Sequence, residues 1–261
     1  MALKPAGSRR PSFHPLVVDD VHRLTPDAVA LDLWVPPELG RVFAFVPGQH
    51  VTVRHTADGV ENRRSYSIAT TRADADRLGV LRIGVGRVAG GAVSGWLVDD
   101  VRPGDVLDVL PPTGELRAAD VPGGHHVAVA AGSGITPVWS IVLSLLDADP
   151  RARATIVLAN RTAASTMFRD ELDARAAASG GRLRVLHALS REDGASPLLT
   201  GRLDEARLAA VLDDVAAAAG TPDAYYLVGP SGLVDTARRV LAARGVPEDA
   251  VHEEVFHTDA V

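Results

Sequence analysis

Two rhythms of apolar and polar positions run along this chain, and they change over near residues 118–125. Beyond that point, short apolar runs at 154–159, 183–189 and 225–228 read as buried strands. Stretches with helical spacing of apolar residues separate them, at 138–146, 166–178, 203–215 and 233–243. This alternation predicts a parallel sheet covered on both faces, because strands buried on two sides are apolar throughout while covering helices are apolar on one side only. The first half differs. Residues 29–35, 50–53 and 79–85 have strand-like patterns, punctuated by Pro36-Pro37, Pro47-Gly48, Ala57-Asp58-Gly59 and Pro103-Gly104-Asp105. Short, closely spaced strands predict an antiparallel barrel or sandwich, with one short helix at 93–98. Asp120-Val121-Pro122-Gly123-Gly124 has the composition of a linker. The expected fold class is therefore two-domain, β + α/β: an antiparallel β-barrel at 13–119, then a parallel-sheet α/β domain at 120–261. The 261 residues suffice to give each a core. The segment before Phe13 is expected to be a mobile tail.

Candidate chemistry collects at the ends of the apolar runs. Ala128-Val129-Ala130-Ala131 leads into Gly132-Ser133-Gly134-Ile135-Thr136-Pro137. Glycines let a ligand approach the main chain closely, and a following helix offers unpaired N–H groups and the positive end of its dipole. Thr136 suits an N-cap and Pro137 the first helical position. The turn is a candidate pyrophosphate cradle at the carboxyl end of the sheet, where such folds bind ligands. The third glycine of the full dinucleotide fingerprint is absent, so the turn by itself equally suits any strand–helix junction. The next two strands run into Asn160-Arg161 and Ser190-Arg191. Neither end supplies at once the acidic group that holds the ribose of NAD. Arginine and hydroxyl suit a 2′-phosphate instead, which favours NADPH with NADH possible; taken singly they are also ordinary loop residues.

Two motifs stand in the first half. Arg63-Arg64-Ser65-Tyr66-Ser67-Ile68-Ala69-Thr70 reads as a strand that brings an arginine, a phenol and hydroxyls to a planar polar ligand, or as a plain surface strand. Gly90-Gly91 with Val93 and Ser94 places paired glycines before a helix start, a second phosphate site in physical terms or a simple hairpin.

In combination, these motifs resemble the ferredoxin–NADP reductase superfamily across residues 15–256. Arg64-x-Tyr66-Ser67 is similar to its flavin strand, and Gly91-x-x-Ser94 to its flavin-pyrophosphate turn. Gly132 to Pro137 resembles its nicotinamide-nucleotide loop, and Ser190-Arg191-Glu192 the segment that grips the 2′-phosphate. Val228-Gly229-Pro230 lies where the family carries Cys-Gly-Pro, and Glu254-Val255-Phe256 resembles its closing Glu-x-aromatic. Asn160-Arg161 and Ser165-Thr166-Met167-Phe168-Arg169-Asp170-Glu171-Leu172 look most like reductase components of multicomponent oxygenases, of the phenylacetyl-CoA oxygenase reductase type. The resemblance implies an FAD-binding barrel and an NAD(P)H-binding domain, with hydride passing from NADPH to flavin N5 and electrons then to a separate oxygenase component or ferredoxin. It implies Arg64 near flavin phosphate, Tyr66 on or beside the isoalloxazine, Ser67 near N5, Phe256 beside the flavin, and Glu254 orienting the nicotinamide or relaying a proton. Ser65, Gly90, Gly91, Val93 and Ser94 are expected around the flavin. Gly132, Ser133, Gly134, Thr136, Asn160, Arg161, Ser190, Arg191, Gly229 and Pro230 are expected around the nucleotide.

Two departures and the composition narrow this. Relatives of that type continue into a [2Fe–2S] domain held by four cysteines. This sequence has no cysteine, so the chain carries no such cluster: either the reductase never had one, or these are the flavin and nucleotide domains of something longer. Valine at 228 replaces the cysteine that sits against the nicotinamide in the family, where small misplacement is costly to hydride transfer. A diaphorase or flavin reductase using small acceptors is one alternative reading. A non-catalytic nucleotide-binding regulatory subunit is another. The nine histidines show no metal-ligand spacing, and no Gly-x-Ser-x-Gly elbow surrounds Ser133. A formal charge of −6 without a basic stripe argues against nucleic acid. Residues 1–12 lack a signal-peptide core, no run is long enough to span a membrane, and the need for NADPH favours a cytoplasmic location.

Overall fold

The computed structural model describes residues 12–57 and 59–256. The expected tail up to Pro11 and Asp58 of the Ala57–Gly59 turn lie outside the described residues. The first sheet has six antiparallel strands: β1 (His14–Thr25), β2 (Ala28–Trp34), β3 (His50–Ala57), β4 (Val60–Ser67), β5 (Val80–Gly86) and β6 (Val106–Thr113). Their order is β4-β3-β6-β1-β2-β5. An antiparallel bridge between Ile68 and Ile83 joins the chain leaving β4 to β5, curling the sheet into a barrel. Alternate side chains fill its interior: Leu16 and Val18 from β1, Val51 and Val53 from β3, and Leu107 and Val109 from β6 share one buried cluster. Helix α1 (Arg72–Leu78) follows β4, and α2 (Ala92–Asp99) follows β5.

The second sheet is parallel, in the order β11-β10-β7-β8-β9. Its strands are β7 (His125–Ala131), β8 (Arg153–Asn160), β9 (Leu183–Leu189), β10 (Ala224–Gly229) and β11 (Val251–Val255). Period-two alternation splits their side chains between two layers. Ala128, Ala130, Ile156, Leu158, Tyr226 and Val228 join α3 (Ile135–Ala148) and α4 (Arg169–Ala178) on one face. Val127, Val129, Val157, Tyr225 and Leu227 join α5 (Glu205–Ala219) and α6 (Ser231–Ala243) on the other. The cluster around α3 also takes in Ala28, Ala30, Ala69 and Leu116 from the barrel, so the two sheets share a core. Polar contacts reinforce the junction. The buried Ser140 hydroxyl donates to the Thr70 carbonyl at 2.8 Å, and the Tyr226 hydroxyl accepts from the Ala119 N–H at 2.9 Å.

Several local expectations change. Helix α3 begins at Ile135, one residue before Thr136, and Gly134 occupies the cap position. The Thr136 hydroxyl donates to the Ser133 carbonyl at 2.7 Å instead of capping. Helix α4 starts at Arg169, after Phe168 takes a left-handed φ of 57°. Gly79 closes α1 in a left-handed conformation and does not open β5. Residues 63–70 do not form one strand; β4 stops at Ser67. Strands β1, β6 and β11 and helix α1 were not foreseen from the patterns.

Candidate active site

Barrel and parallel sheet meet around a cavity of about 450 Å³. Its first wall is β4, the edge strand of the first sheet. Arg64, Ser65, Tyr66 and Ser67 all line the cavity. Four successive residues reach one space only if the strand presents its edge as well as a face. The Tyr66 hydroxyl is buried with no hydrogen-bond partner among the described residues. Burial pushes its pKa well above the ordinary phenol value, with the Arg64 charge offsetting part of the shift. Arg64 donates to the Arg63 carbonyl at 2.8 Å, and Ser67 is 5% exposed.

The second wall is the amino-terminal turn of α2. Gly91 caps it without a side chain, and Gly90, Gly91, Ala92, Val93 and Ser94 line the cavity. Ser94 Oγ accepts from the Val88 N–H at 3.1 Å and donates to the Gly91 carbonyl at 3.4 Å, bracing the loop that leads into the helix. A first helical turn leaves its N–H groups without intrahelical acceptors, so this wall offers donors suited to an anion.

Gly84 and Gly86 of β5, with Ser133 and Thr136 of the glycine turn, supply a third wall. A Cβ on Gly84 would stand 2.4 Å from Thr136 Cγ2, so the glycine lets the barrel approach the parallel sheet. Likewise a Cβ on Gly134 would meet the Val228 carbonyl oxygen at 2.4 Å. The fourth side is the end of β11: Glu254, Val255 and Phe256. The Phe256 N–H donates to the Gly229 carbonyl at 2.8 Å, tying this end to β10. Glu254 Oε2 is also buried without a partner among the described residues, and burial pushes its carboxyl above the usual carboxylate range.

Other expected site residues lie apart from the cavity. Val228 has no exposed surface and belongs to the core on which Phe256 packs. Gly132, Gly134, Gly229 and Pro230 are not in the lining. Asn160, Arg161, Ser190 and Arg191 form a second locus at the carboxyl ends of β8 and β9. There the Ser190 and Arg191 N–H groups donate to the Asn160 and Arg161 carbonyls at 3.0 and 2.8 Å. Glu192 Oε1 accepts from the Ala163 N–H at 2.5 Å and clamps this edge. His50, Asn62 and Val88 line the cavity but were not singled out from sequence. His50 stands on β3 directly opposite Ser67, a pairing that the pattern of the chain does not reveal. Among the described residues, no group of three or more His, Cys, Asp or Glu could hold a metal.

Comparison with known proteins accounts for both halves. Residues 15–117 match the oxidoreductase FAD-binding domain, and residues 128–239 the oxidoreductase NAD-binding domain. The chain is 34% identical over 249 residues to a component of the 1,2-phenylacetyl-CoA epoxidase of Escherichia coli, covering 95% of this chain and 68% of that protein. It is 33% identical over 248 residues to the ferredoxin reductase component of 3-ketosteroid-9-alpha-monooxygenase from Rhodococcus rhodochrous, covering 93% and 65%. Among solved structures, Amycolatopsis cytochrome P450 reductase GcoB superposes with a TM-score of 0.77 at 26% identity, over 98% of this chain and 73% of that one. The chain thus spans about two thirds of the length of these curated relatives. The chain belongs to the ferredoxin reductase-like family of FAD- and NAD-binding oxidoreductases. It is a flavin- and nicotinamide-nucleotide-dependent oxidoreductase, related to the reductase components of oxygenases.

Proposed function

We propose that this protein takes hydride from NADPH onto FAD held in the cavity and passes electrons to a separate acceptor protein, an oxygenase component or a ferredoxin. The observation that carries the reading is the convergence of four motifs, far apart in sequence, on one space: the β4 edge, the α2 amino terminus, the glycine turn and the Glu254–Phe256 end. An FAD fits that chemistry. The Tyr66 hydroxyl and Glu254 Oε2 are buried polar atoms without a partner among the described residues. The braced α2 terminus offers donors for a pyrophosphate, and Gly84 and Gly86 line the floor without side chains. Bound FAD supplies the hydride-accepting and electron-carrying chemistry, while the protein supplies position and electrostatics.

In this reading Arg64 neutralises flavin phosphate, Tyr66 packs by the ring system, and Ser67 hydrogen-bonds near the reacting nitrogen. Phe256 covers the ring until the nicotinamide enters. Ser133 and Thr136 flank the nucleotide pyrophosphate, and Arg161, Ser190 and Arg191 hold the 2′-phosphate. The labour divides at the linker, with residues 13–119 binding flavin and 120–261 the nucleotide. The full burial of Val228 favours catalysis over a regulatory role, because its side chain takes up no cavity space. Anaerobic titration of the purified protein with NADPH, with NADH alongside, tests this. Rapid bleaching of a bound-FAD spectrum by NADPH is expected; bound FAD that neither nucleotide reduces would overturn it.

A further inference from the structure

His50 is a titratable side chain of the cavity that the flavin and nucleotide motifs leave without a task. It stands opposite Ser67 across the β3–β4 pair, so both side chains rise from the same face of the sheet. Its Nδ1 lies 3.8 Å from Glu254 Oε1, and each side chain is 25% exposed. The other carboxylate oxygen of Glu254 is the buried one, without a partner among the described residues. Gly114 makes room for this arrangement: a Cβ there would stand 3.0 Å from His50 Nδ1 and 3.3 Å from its Cε1. The imidazole is thus seated against backbone on one side and faces the carboxyl on the other.

We propose that His50 is a positioning residue for Glu254, holding the carboxyl at the cavity edge and exchanging one proton with it between Nδ1 and Oε1. This rests on the reading of Glu254 as part of the reductase site. At 3.8 Å the contact is an ion-pair distance, longer than a hydrogen bond. A small rotation of either side chain, or one bridging water, joins them. The exchange is balanced: imidazolium with carboxylate becomes neutral imidazole with neutral carboxyl, and the net charge of the pair is unchanged. Burial opposes charge on both partners, lowering the His50 value and raising that of Glu254. Among the described residues, the other ionisable groups that line the cavity are Arg64 and Tyr66 from β4.

The test is an NMR titration of the histidine ring signals in the FAD-loaded protein, with His50 assigned by loss of its signal in His50→Gln. In Glu254→Gln the His50 midpoint is expected to fall by about one pH unit, the size of effect an opposite charge has at this range. Glu254→Asp, which keeps the charge on a shorter stem, should fall between the two and guards against misfolding of the amide variant. An unchanged His50 midpoint in both variants would overturn the proposal and reduce His50 to a packing residue against Gly114. The readout is separate from turnover. Flavin reduced normally with an unchanged midpoint retires the pair alone; a shifted midpoint with flavin that no nucleotide reduces retires the reductase reading and keeps the pair.

Discussion

The cavity between the sheets and the arginine-bearing edge at the ends of β8 and β9 are built on opposite principles. In the cavity, packing decides. Gly84 stands where no side chain fits, the Ser94 hydroxyl is spent twice on its own loop, and two polar atoms are buried without partners among the described residues. At the outer edge, Arg161, Ser190 and Arg191 are exposed, and backbone pairing with one carboxylate clamp gives the edge its shape. Shape-built sites discriminate through steric fit and desolvation, whereas exposed charges act through a field that salt screens. Under the proposed function, the comparison separates a place for a flat cofactor from a place that reads one phosphate.

Gly134→Ala should strike hardest, because its Cβ would meet a backbone carbonyl that cannot swing away. A loss of about 1–3 kcal/mol in urea unfolding is expected from such overpacking, with nucleotide affinity falling while FAD stays bound. Unchanged nucleotide affinity would remove the glycine turn from the site. Ser94→Ala should cost about 1 kcal/mol through the lost brace, seen as weaker FAD retention on dilution and no change in the choice between NADPH and NADH. A shift in that choice would blur the division between the two regions.

The smallest effect is one of pH. Burial raises the Glu254 value above its unfolded value. The stability associated with its neutral form is therefore complete below the unfolded value and is lost as pH rises through the folded one. Glu254→Gln, neutral throughout, should melt above the parent protein at pH 8 and alongside it near pH 4. A constant difference across that range would mean that Glu254 is not desolvated.

Much of the architecture is legible in the sequence because it rests on local pattern. The apolar runs of β8, β9 and β10 and the glycine turn before α3 carry their own periodicity, and the structure places them within a few residues of expectation. Strand β11 escapes because Val-His-Glu-Glu-Val reads as polar; it pairs only with β10 at the sheet edge, where burial is incomplete. The Thr136 cap fails because tertiary packing lets Gly134 start the helix two residues early, against the Val228 carbonyl. The cavity motifs are readable as short strings, but only the family resemblance, not their own pattern, brings them together, since β4, α2 and β11 meet only through the barrel–sheet junction. His50 was missed for the same reason: its relation to Glu254 spans the two sheets.

Replacing Arg161 and Arg191 together by alanine tests the division of labour most directly, with FAD content, NADPH affinity and NADH affinity measured on the same protein. Loss of charge-assisted hydrogen bonds to a phosphate, at about 1.5 kcal/mol or more each, predicts NADPH affinity falling on the order of tenfold or beyond. FAD content and NADH affinity should hold within about twofold. Equal losses for both nucleotides, or loss of the flavin, would contradict the separation of a shape-built flavin cavity from a charge-built nucleotide edge.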